Sequence, residues 1–576
     1  MSGGHRVITE FDVEATMRDG AVLRANVFRP DAEGPFPVIL SRTPYDKNTP
    51  GDAGHGFDPL ILARFGFIVV VQDVRGRYAS EGAWETLEHE REDGYDSVEW
   101  AARLPGANGR VGMYGASYVG TTQWAAASMN PPSLKAIAPA LTWKDMADGV
   151  IRRGGAVDLG LPAFWVLLQG FDYIARTSSP DEHPARFEQL VAAYDGLRST
   201  GYWELPAVEL PAAVRLGLPT ASMSLDVSAA ASYTDADFDG LDSDLAIAAT
   251  SGWYDIAVQG TLDAFVAARS RGLDARLHVG PWTHQSPRDP VGERYFGMRS
   301  QRETFMVDYA ESWFGRHLAW FSRHLGPAAS VPLPERRVRI FVMGRNEWRD
   351  EDDWPLARAR DERWFLHPDG TVAPDAPGDA SRDASRDASR DAAGGASRGV
   401  DGDVREFVYD PADPVPTVGG NTAWIPGHPA GPIDQAPVES RDDILVYTSA
   451  PLEADLEVTG RVRARLTVES SAPSTDWVAR LCDVDEDGTS WNICDGIARV
   501  VEHADQVCEV EIDLWSTSNV FLAGHRIRVH VTSSSFPRWD RNLNTGDQAA
   551  DTWERATQRV RHEGGASWLE LPVVRN

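Results

Sequence analysis

Arg110–Ser128, RVGMYGASYVGTTQWAAAS, is the stretch on which the reading of the whole chain turns. Val111-Gly112-Met113-Tyr114 is small and apolar and suits a buried strand, and Thr121 to Ala127 suits a helix. Between them, Gly115-Ala116-Ser117-Tyr118-Val119-Gly120 sets a serine between close glycines at a strand-to-helix turn, the pattern of a nucleophile elbow. So tight a turn leaves little room for side chains beside the serine. It also drives the serine into a strained backbone region, with its hydroxyl exposed at the edge of the sheet. The backbone N–H of Tyr118 then opens a helix and can face a developing oxyanion. The common spacing is Gly-x-Ser-x-Gly. Here Val119 stands at the expected place and the glycine comes one residue late, at Gly120. A glycine-rich turn carrying a passive serine is the competing reading of this stretch alone.

The flanks supply a sheet. Residues 7 to 29 alternate apolar and polar about Met17-Arg18-Asp19-Gly20 and predict an antiparallel hairpin. Phe36 to Leu40 and Phe67 to Gln72 read as buried strands, each followed by a loop: Ser41 to Lys47 after the first, Asp73-Val74-Arg75-Gly76 after the second. Residues 88 to 103 read as a charged surface helix, and Leu134 to Leu141 as a further strand. Strands alternating with helices predict an α/β fold with a parallel sheet covered on both faces. The pattern stops near Thr142. From about Lys144 to Gly240 there are helical and proline-broken segments without a buried strand, which predicts an insertion above the carboxyl edge of the sheet. It resumes with a strand at Asp244 to Ser251 ending in Gly252-Trp253-Tyr254-Asp255, then a helix from Ile256 to Ser270. Another strand, Ala275 to Val279, ends in Gly280-Pro281-Trp282-Thr283-His284. A long helix, about Arg302 to Leu325, carries its aromatics at core spacings.

After Pro332 the character changes. Arg337 to Met343, Arg363 to Leu366, Glu406 to Tyr409, Glu457 to Val468, Val478 to Val484, Cys508 to Leu514 and His525 to Thr532 are short alternating strands with turns between. Helical periodicity returns only around Asp551 to Gln558. A separate all-β domain, sandwich or jelly roll, fits this. Within it, Asp379 to Asp391 repeats DASR three times and reads as a surface loop. The expected division is therefore an α/β region at 1–143 and 241–350, an insertion at 144–240, and an all-β region at 351–576.

Composition narrows the partners. A chain of 576 residues exceeds a single core, and 42% apolar content is enough to build several. The 56 Lys and Arg against 86 Asp and Glu leave a formal charge of −30, which repels nucleic acid and anionic membranes. Three cysteines, Cys482, Cys494 and Cys508, are too few for a disulfide framework, and none has metal-ligand spacing with histidine. The first twenty residues lack a basic start followed by an apolar run, and no stretch approaches membrane-spanning length. A cytoplasmic protein without metal or cofactor is the expectation.

A serine hydroxyl becomes a nucleophile only when a base takes its proton and a carboxylate orients that base. In α/β-hydrolases those groups follow later strands in the order Ser, acid, His. Asp255 ends the first strand after the insertion and His284 ends the next, so Ser117, Asp255 and His284 stand in that order at three strand ends. His278 lies inside a strand, and His317 and His324 on the long helix, which suits them less. A second oxyanion donor is also needed. Tyr45, on the loop after an early strand, offers its phenol; a buried tyrosine packed against the elbow is the equal alternative.

At this point the motifs resemble a family. The elbow, RTPYDK (Arg42 to Lys47), QDVRGRYASEG (Gln72 to Gly82), GWYD, GPWTH, FVMGRNEWRDEDDWP (Phe341 to Pro355) and the stretch from Ser518 to Gly546 resemble the bacterial cocaine esterase family of serine hydrolases. That family belongs to the wider X-Pro dipeptidyl-peptidase class. The resemblance implies an α/β-hydrolase core at 1–143 and 241–350, a helical cap at 144–240 and a jelly-roll β domain at 351–576, with Ser117 as nucleophile, Asp255 as acid and His284 as base. It implies an oxyanion site between the Tyr45 hydroxyl and the Tyr118 N–H, and it accounts for the late glycine. It implies aromatic substrate contacts at Trp165 in the cap and Trp424 in the jelly roll. Val150 or Ile151 stands where the family's cocaine-hydrolysing member has a second cap tryptophan, and Ile256-Ala257 lacks a phenylalanine after the acid, so the pocket is reshaped. Relatives form dimers, which makes a homodimer an expected partner alongside a small-molecule ester. The function expected is a serine carboxylesterase. The alternatives are an X-Pro dipeptidyl-peptidase or α-amino-acid ester hydrolase, which needs buried carboxylates, whereas cap acids such as Asp158 and Asp172 read as solvated at the surface, and an inert fold whose jelly roll binds carbohydrate.

Overall fold

The computed structural model describes residues 4–49, 58–219, 232–301, 312–326, 333–377 and 402–575. A run such as Ile68–Asp73, IVVVQD, has no polar alternation and is buried at every position, as a strand covered on both faces must be. It pairs in parallel with Phe36–Thr43, which pairs in parallel with Ala107–Ala116. From there the parallel order continues through Leu134–Ala140, Ala246–Tyr254, Asp274–Thr283 and Val338–Val342. The hairpin of Val7–Thr16 and Val22–Pro30 adds two antiparallel strands at one end, and Glu347–Glu351 adds one at the other. Among the described residues this is a sheet of ten strands. Because the central strands run the same way, the loops carrying Tyr45, Ser117, Asp255 and His284 all leave from one edge. In open parallel sheets the crevice beyond that edge is where ligands bind.

Three details differ from the expectation. Val338–Val342, whose alternation matches the C-terminal strands although the expected division keeps it with 241–350, pairs with Asp274–Thr283 in the large sheet. Pattern says that a segment is a strand, not which sheet receives it. The helix Glu90–Ala101 lies at the surface with Glu92 exposed, but its inner face buries charge, with Glu90 and Asp93 beside Ser97 and Val98. Arg42 and Arg75 meet two of these carboxylates, at 2.6 Å from Glu90 and 2.6 Å from Asp93, so charge enters the interior in pairs. Asp551 to Gln558 forms no helix: Ala556–Arg561 is a strand paired with Val404–Tyr409. The long-helix expectation is met by Trp313–Leu325; its first ten positions and the DASR repeat lie outside the described residues.

Residues between the two halves of the sheet fold mainly as helices, chiefly Gly160–Thr177 and His183–Gly196. Their apolar residues form one cluster with Tyr118, Ile256 and Ala257 of the sheet's loops and with Ala423, Ile425 and Phe536 from the C-terminal region. That region is β-rich and separate. From Gly460 onward, Leu456–Ser470 alternates buried and half-buried positions, the mark of a strand with one face inward. Among the described residues it belongs to a seven-stranded sheet, and Ser474–Val484 to a four-stranded one. Leu466 and Phe521 from the first share a core with Trp477 and Val529 from the second. The helical segment is locked to this region at Gly154, where φ is +53° and a Cβ would lie 1.9 Å from the Ile497 carbonyl oxygen. Only glycine fits there.

Candidate active site

The elbow forms as its residues demand. Ser117 sits at φ 58°, ψ −127°, between Ala107–Ala116 and the helix Tyr118–Ser128. Gly115 takes φ 139°, and a Cβ on it would lie 2.1 Å from Val119 Cγ1. A Cβ on Gly120 would lie 2.8 Å from Thr142 Cβ. The late glycine thus has a local reason: Val119 packs back over Gly115 while position 120 faces the end of the next strand. Tyr118 opens the helix, so its N–H lies among those without an acceptor in their own helix.

Asp255 and His284 end adjacent parallel strands, and both are fully buried. The His284 Nδ1 lies 2.7 Å from Asp255 Oδ1, and its Nε2 lies 3.0 Å from Ser117 Oγ. Asp255 is held on its other sides by the Ala257 N–H, 3.0 Å from Oδ1, and the Ser251 hydroxyl, 2.9 Å from Oδ2. These donors aim the carboxylate at one imidazole nitrogen, so that the other faces the serine. The three side chains therefore form one hydrogen-bonded line.

Aromatic rings close around it. The Tyr45 and Tyr118 rings meet edge to face at 6.5 Å. Trp165, from Gly160–Thr177, stacks on Tyr118 at 6.3 Å and donates its indole N–H to the Tyr45 oxygen at 3.1 Å. Trp424 meets the His284 ring edge to face at 5.1 Å. All the predicted site residues are thus in one place. The Tyr45 loop is pinned behind the site by Lys47, whose N–H and ammonium both reach the buried Asp73 carboxylate, at 2.7 and 3.1 Å.

Sequence reasoning missed several supports. Asn421, from the C-terminal region and buried, donates to the carbonyl oxygens of Trp253 and Asp255 at 2.8 and 2.9 Å, holding the loop that carries the acid. The Gly419-Gly420 pair before it was the only local signal of a close approach. Behind the elbow, Glu90 accepts the Tyr118 hydroxyl at 2.8 Å and pairs with Arg42. Burial and this carboxylate hold the Tyr118 phenol well above its ordinary range, so it stays a proton donor.

The two acids of the helical segment do not meet one another's partners. Asp172 lies 3.4 Å from Arg77 and accepts the Tyr78 N–H at 3.3 Å. Asp158, for which solvation was the expectation, is buried instead, and burial pushes its carboxyl up to about 7 against the pull of Arg538 and Arg153. Between about pH 4, where an unfolded aspartate loses its proton, and pH 7 the native state holds one proton more. Stability must then fall as pH rises through that window, by about 1.4 kcal/mol per pH unit from this group. Urea midpoints of the parent and Asp158→Asn across pH 4 to 8 should diverge in favour of the variant. Parallel profiles would remove the effect from Asp158.

Chemistry of this kind on a sheet of this connectivity is that of serine hydrolases. Residues 19–286 match the model of the X-Pro dipeptidyl-peptidase (S15 family), and residues 333–569 that of the X-Pro dipeptidyl-peptidase C-terminal non-catalytic domain. The chain is similar to cocaine esterase of Rhodococcus sp. (strain MB1 Bresler), with 38% identity over 98% of this chain and 98% of that one. It therefore belongs to the bacterial cocaine esterase family of serine hydrolases, within the X-Pro dipeptidyl-peptidase class. Two solved structures share the fold over 99% of this chain and 97% of theirs, each with a TM-score of 0.73. One is an aminopeptidase from a marine sediment archaeon (Thaumarchaeota archaeon), at 24% identity, and the other an α-amino acid ester hydrolase, at 23%. Among the described residues, no helix is long and apolar enough to cross a membrane.

Proposed function

We propose that this protein is a carboxylesterase working through an acyl-enzyme on Ser117. The observation that carries the reading is the continuous line from Asp255 through His284 to Ser117, with contacts of 2.7 and 3.0 Å. Ser117 Oγ attacks the ester carbonyl carbon as His284 Nε2 takes its proton. The carbonyl oxygen becomes an oxyanion between the Tyr45 hydroxyl and the Tyr118 N–H. Collapse breaks the bond to the alcohol oxygen, which leaves with the proton from His284. Water, deprotonated by the same nitrogen, then attacks the acyl-serine, and collapse releases the acid as His284 returns the proton to Ser117 Oγ. Every step uses side chains and backbone of this chain alone.

In this reading residues 1–143 and 241–350 are an α/β-hydrolase core, 144–240 a cap over its carboxyl edge and 351–576 a jelly roll. The sheet strands that bear the site fall within the first two ranges, which supports the division. Trp165 and Trp424 line the substrate space, one from each neighbouring part. Val150, Ile151, Ile256 and Ala257 in the same cluster make the acyl wall largely aliphatic. Small carboxylic esters, including aromatic acyl esters of the type that the Rhodococcus relative's name implies, are the substrate class.

The competing activity is cleavage next to a free amine, as in the aminopeptidase and amino-acid ester hydrolase that share the fold. It needs carboxylates converging on the ammonium group, whereas Asp158 and Asp172 are engaged by different arginines. Turnover of p-nitrophenyl esters should exceed that of a free-amine dipeptidyl p-nitroanilide by orders of magnitude in kcat/KM. A preference for the amide would replace esterase by peptidase.

A further inference from the structure

Trp165 does more than offer a ring. Its indole N–H is a donor only, and it is directed at the Tyr45 phenol oxygen at 3.1 Å. A phenol that accepts a hydrogen bond there cannot turn its own hydrogen toward the same group. The bond also polarises the O–H and strengthens its donation to a third atom. The indole is itself held tightly: it stacks on Tyr118 at an interplanar angle of 19°, lies 5.8 Å from Trp84, and is buried. Trp165 therefore touches both residues assigned to the oxyanion, one through its N–H and the other through its face.

We infer that Trp165 is a positioning residue for the oxyanion site, acting through Tyr45: its N–H orients and polarises the phenol that stabilises the tetrahedral intermediate. The inference rests on the proposed role of Tyr45 and deepens it. It makes the helical segment part of the transition-state machinery, so that opening of that segment would weaken the oxyanion donor as well as remove the substrate wall. Since the same oxyanion forms in acylation and in deacylation, the effect belongs to kcat and is indifferent to the size of the acyl group. A wall contact, in contrast, would matter most for a bulky acyl group and would appear in KM.

The test measures kcat and KM of the full-length protein on p-nitrophenyl acetate and p-nitrophenyl benzoate for the parent, Trp165→Phe, Trp165→His, Tyr45→Phe and the Trp165→Phe/Tyr45→Phe pair. Trp165→Phe should lose about 3- to 10-fold in kcat on both esters, the range of one neutral hydrogen bond, with KM near the parent value. Trp165→His, whose ring keeps an N–H, should lose less. Tyr45→Phe should lose about 100- to 1,000-fold, and Trp165→Phe should add nothing in that background. A loss confined to the benzoate, carried by KM, or repeated in full without the Tyr45 hydroxyl overturns the inference. If Trp165→Phe does not melt cooperatively, Trp165→Leu, which also lacks the N–H, takes its place in the cycle. A large Tyr45→Phe loss beside a silent Trp165→Phe overturns the inference alone. A silent Tyr45→Phe overturns the oxyanion reading and this inference with it.

Discussion

Ser117→Ala should lower turnover of p-nitrophenyl acetate by about a million-fold, the scale seen when the nucleophile of a serine triad is removed. The residual rate would come from the oxyanion donors and substrate binding acting on water. Alanine has the same Cβ as serine, so it meets the same steric strain at φ 58° and the elbow is preserved. Thermal melting should therefore coincide with that of the parent while activity vanishes. A fluorophosphonate should add its mass to one residue of the parent and to none of the variant. Retained turnover, or labelling of a different serine, would remove Ser117 from the mechanism.

Asp255→Asn should be the next most damaging change, about ten-thousand-fold in kcat. The carboxylate now accepts the hydrogen on His284 Nδ1 at 2.7 Å, which leaves Nε2 bare and facing the serine 3.0 Å away. An amide nitrogen in place of Oδ1 would donate to Nδ1, shift the ring hydrogen to Nε2 and leave the serine without a base. With the amide oxygen at that place instead, which the Ala257 N–H at 3.0 Å favours, the tautomer is kept but the negative charge that stabilises the imidazolium is lost. A measured loss below ten-fold in a variant that melts like the parent would leave Asp255 a structural aspartate. The buried pair of Asp255 and His284 would then need another explanation.

Much of the candidate site is legible in the sequence. Ser117, Asp255 and His284 each end a buried strand at a turn marked by glycine and aromatic residues, and a parallel sheet brings such ends to one edge. Tyr45 follows the same rule, at the end of Phe36–Thr43. Other features carried no such mark. Glu90 and Asp93 looked like solvated charges because their neutralising partners, Arg42 and Arg75, sit 48 and 18 positions earlier. Asp158 looked exposed for the same reason. Val338–Val342 looked like its C-terminal neighbours because alternation is blind to sheet membership. Asn421 is marked only by the Gly419-Gly420 pair before it, which does not name its partner: it lies 166 positions from the acid whose carbonyl it holds.

Local pattern along the chain was enough for the α/β class, the order of the reacting groups and the presence of a second, β-rich region. Those depend on which residues are apolar and where the backbone must turn, and both are properties of short segments. Which ring donates to which hydroxyl was decided in three dimensions. Trp165 reaches Tyr45 across 120 positions and His284 reaches Ser117 across 167, and such contacts exist only when whole layers have packed. A shift of one ångström between those layers would break either bond without altering any local signal, because a hydrogen bond weakens steeply with distance while burial does not.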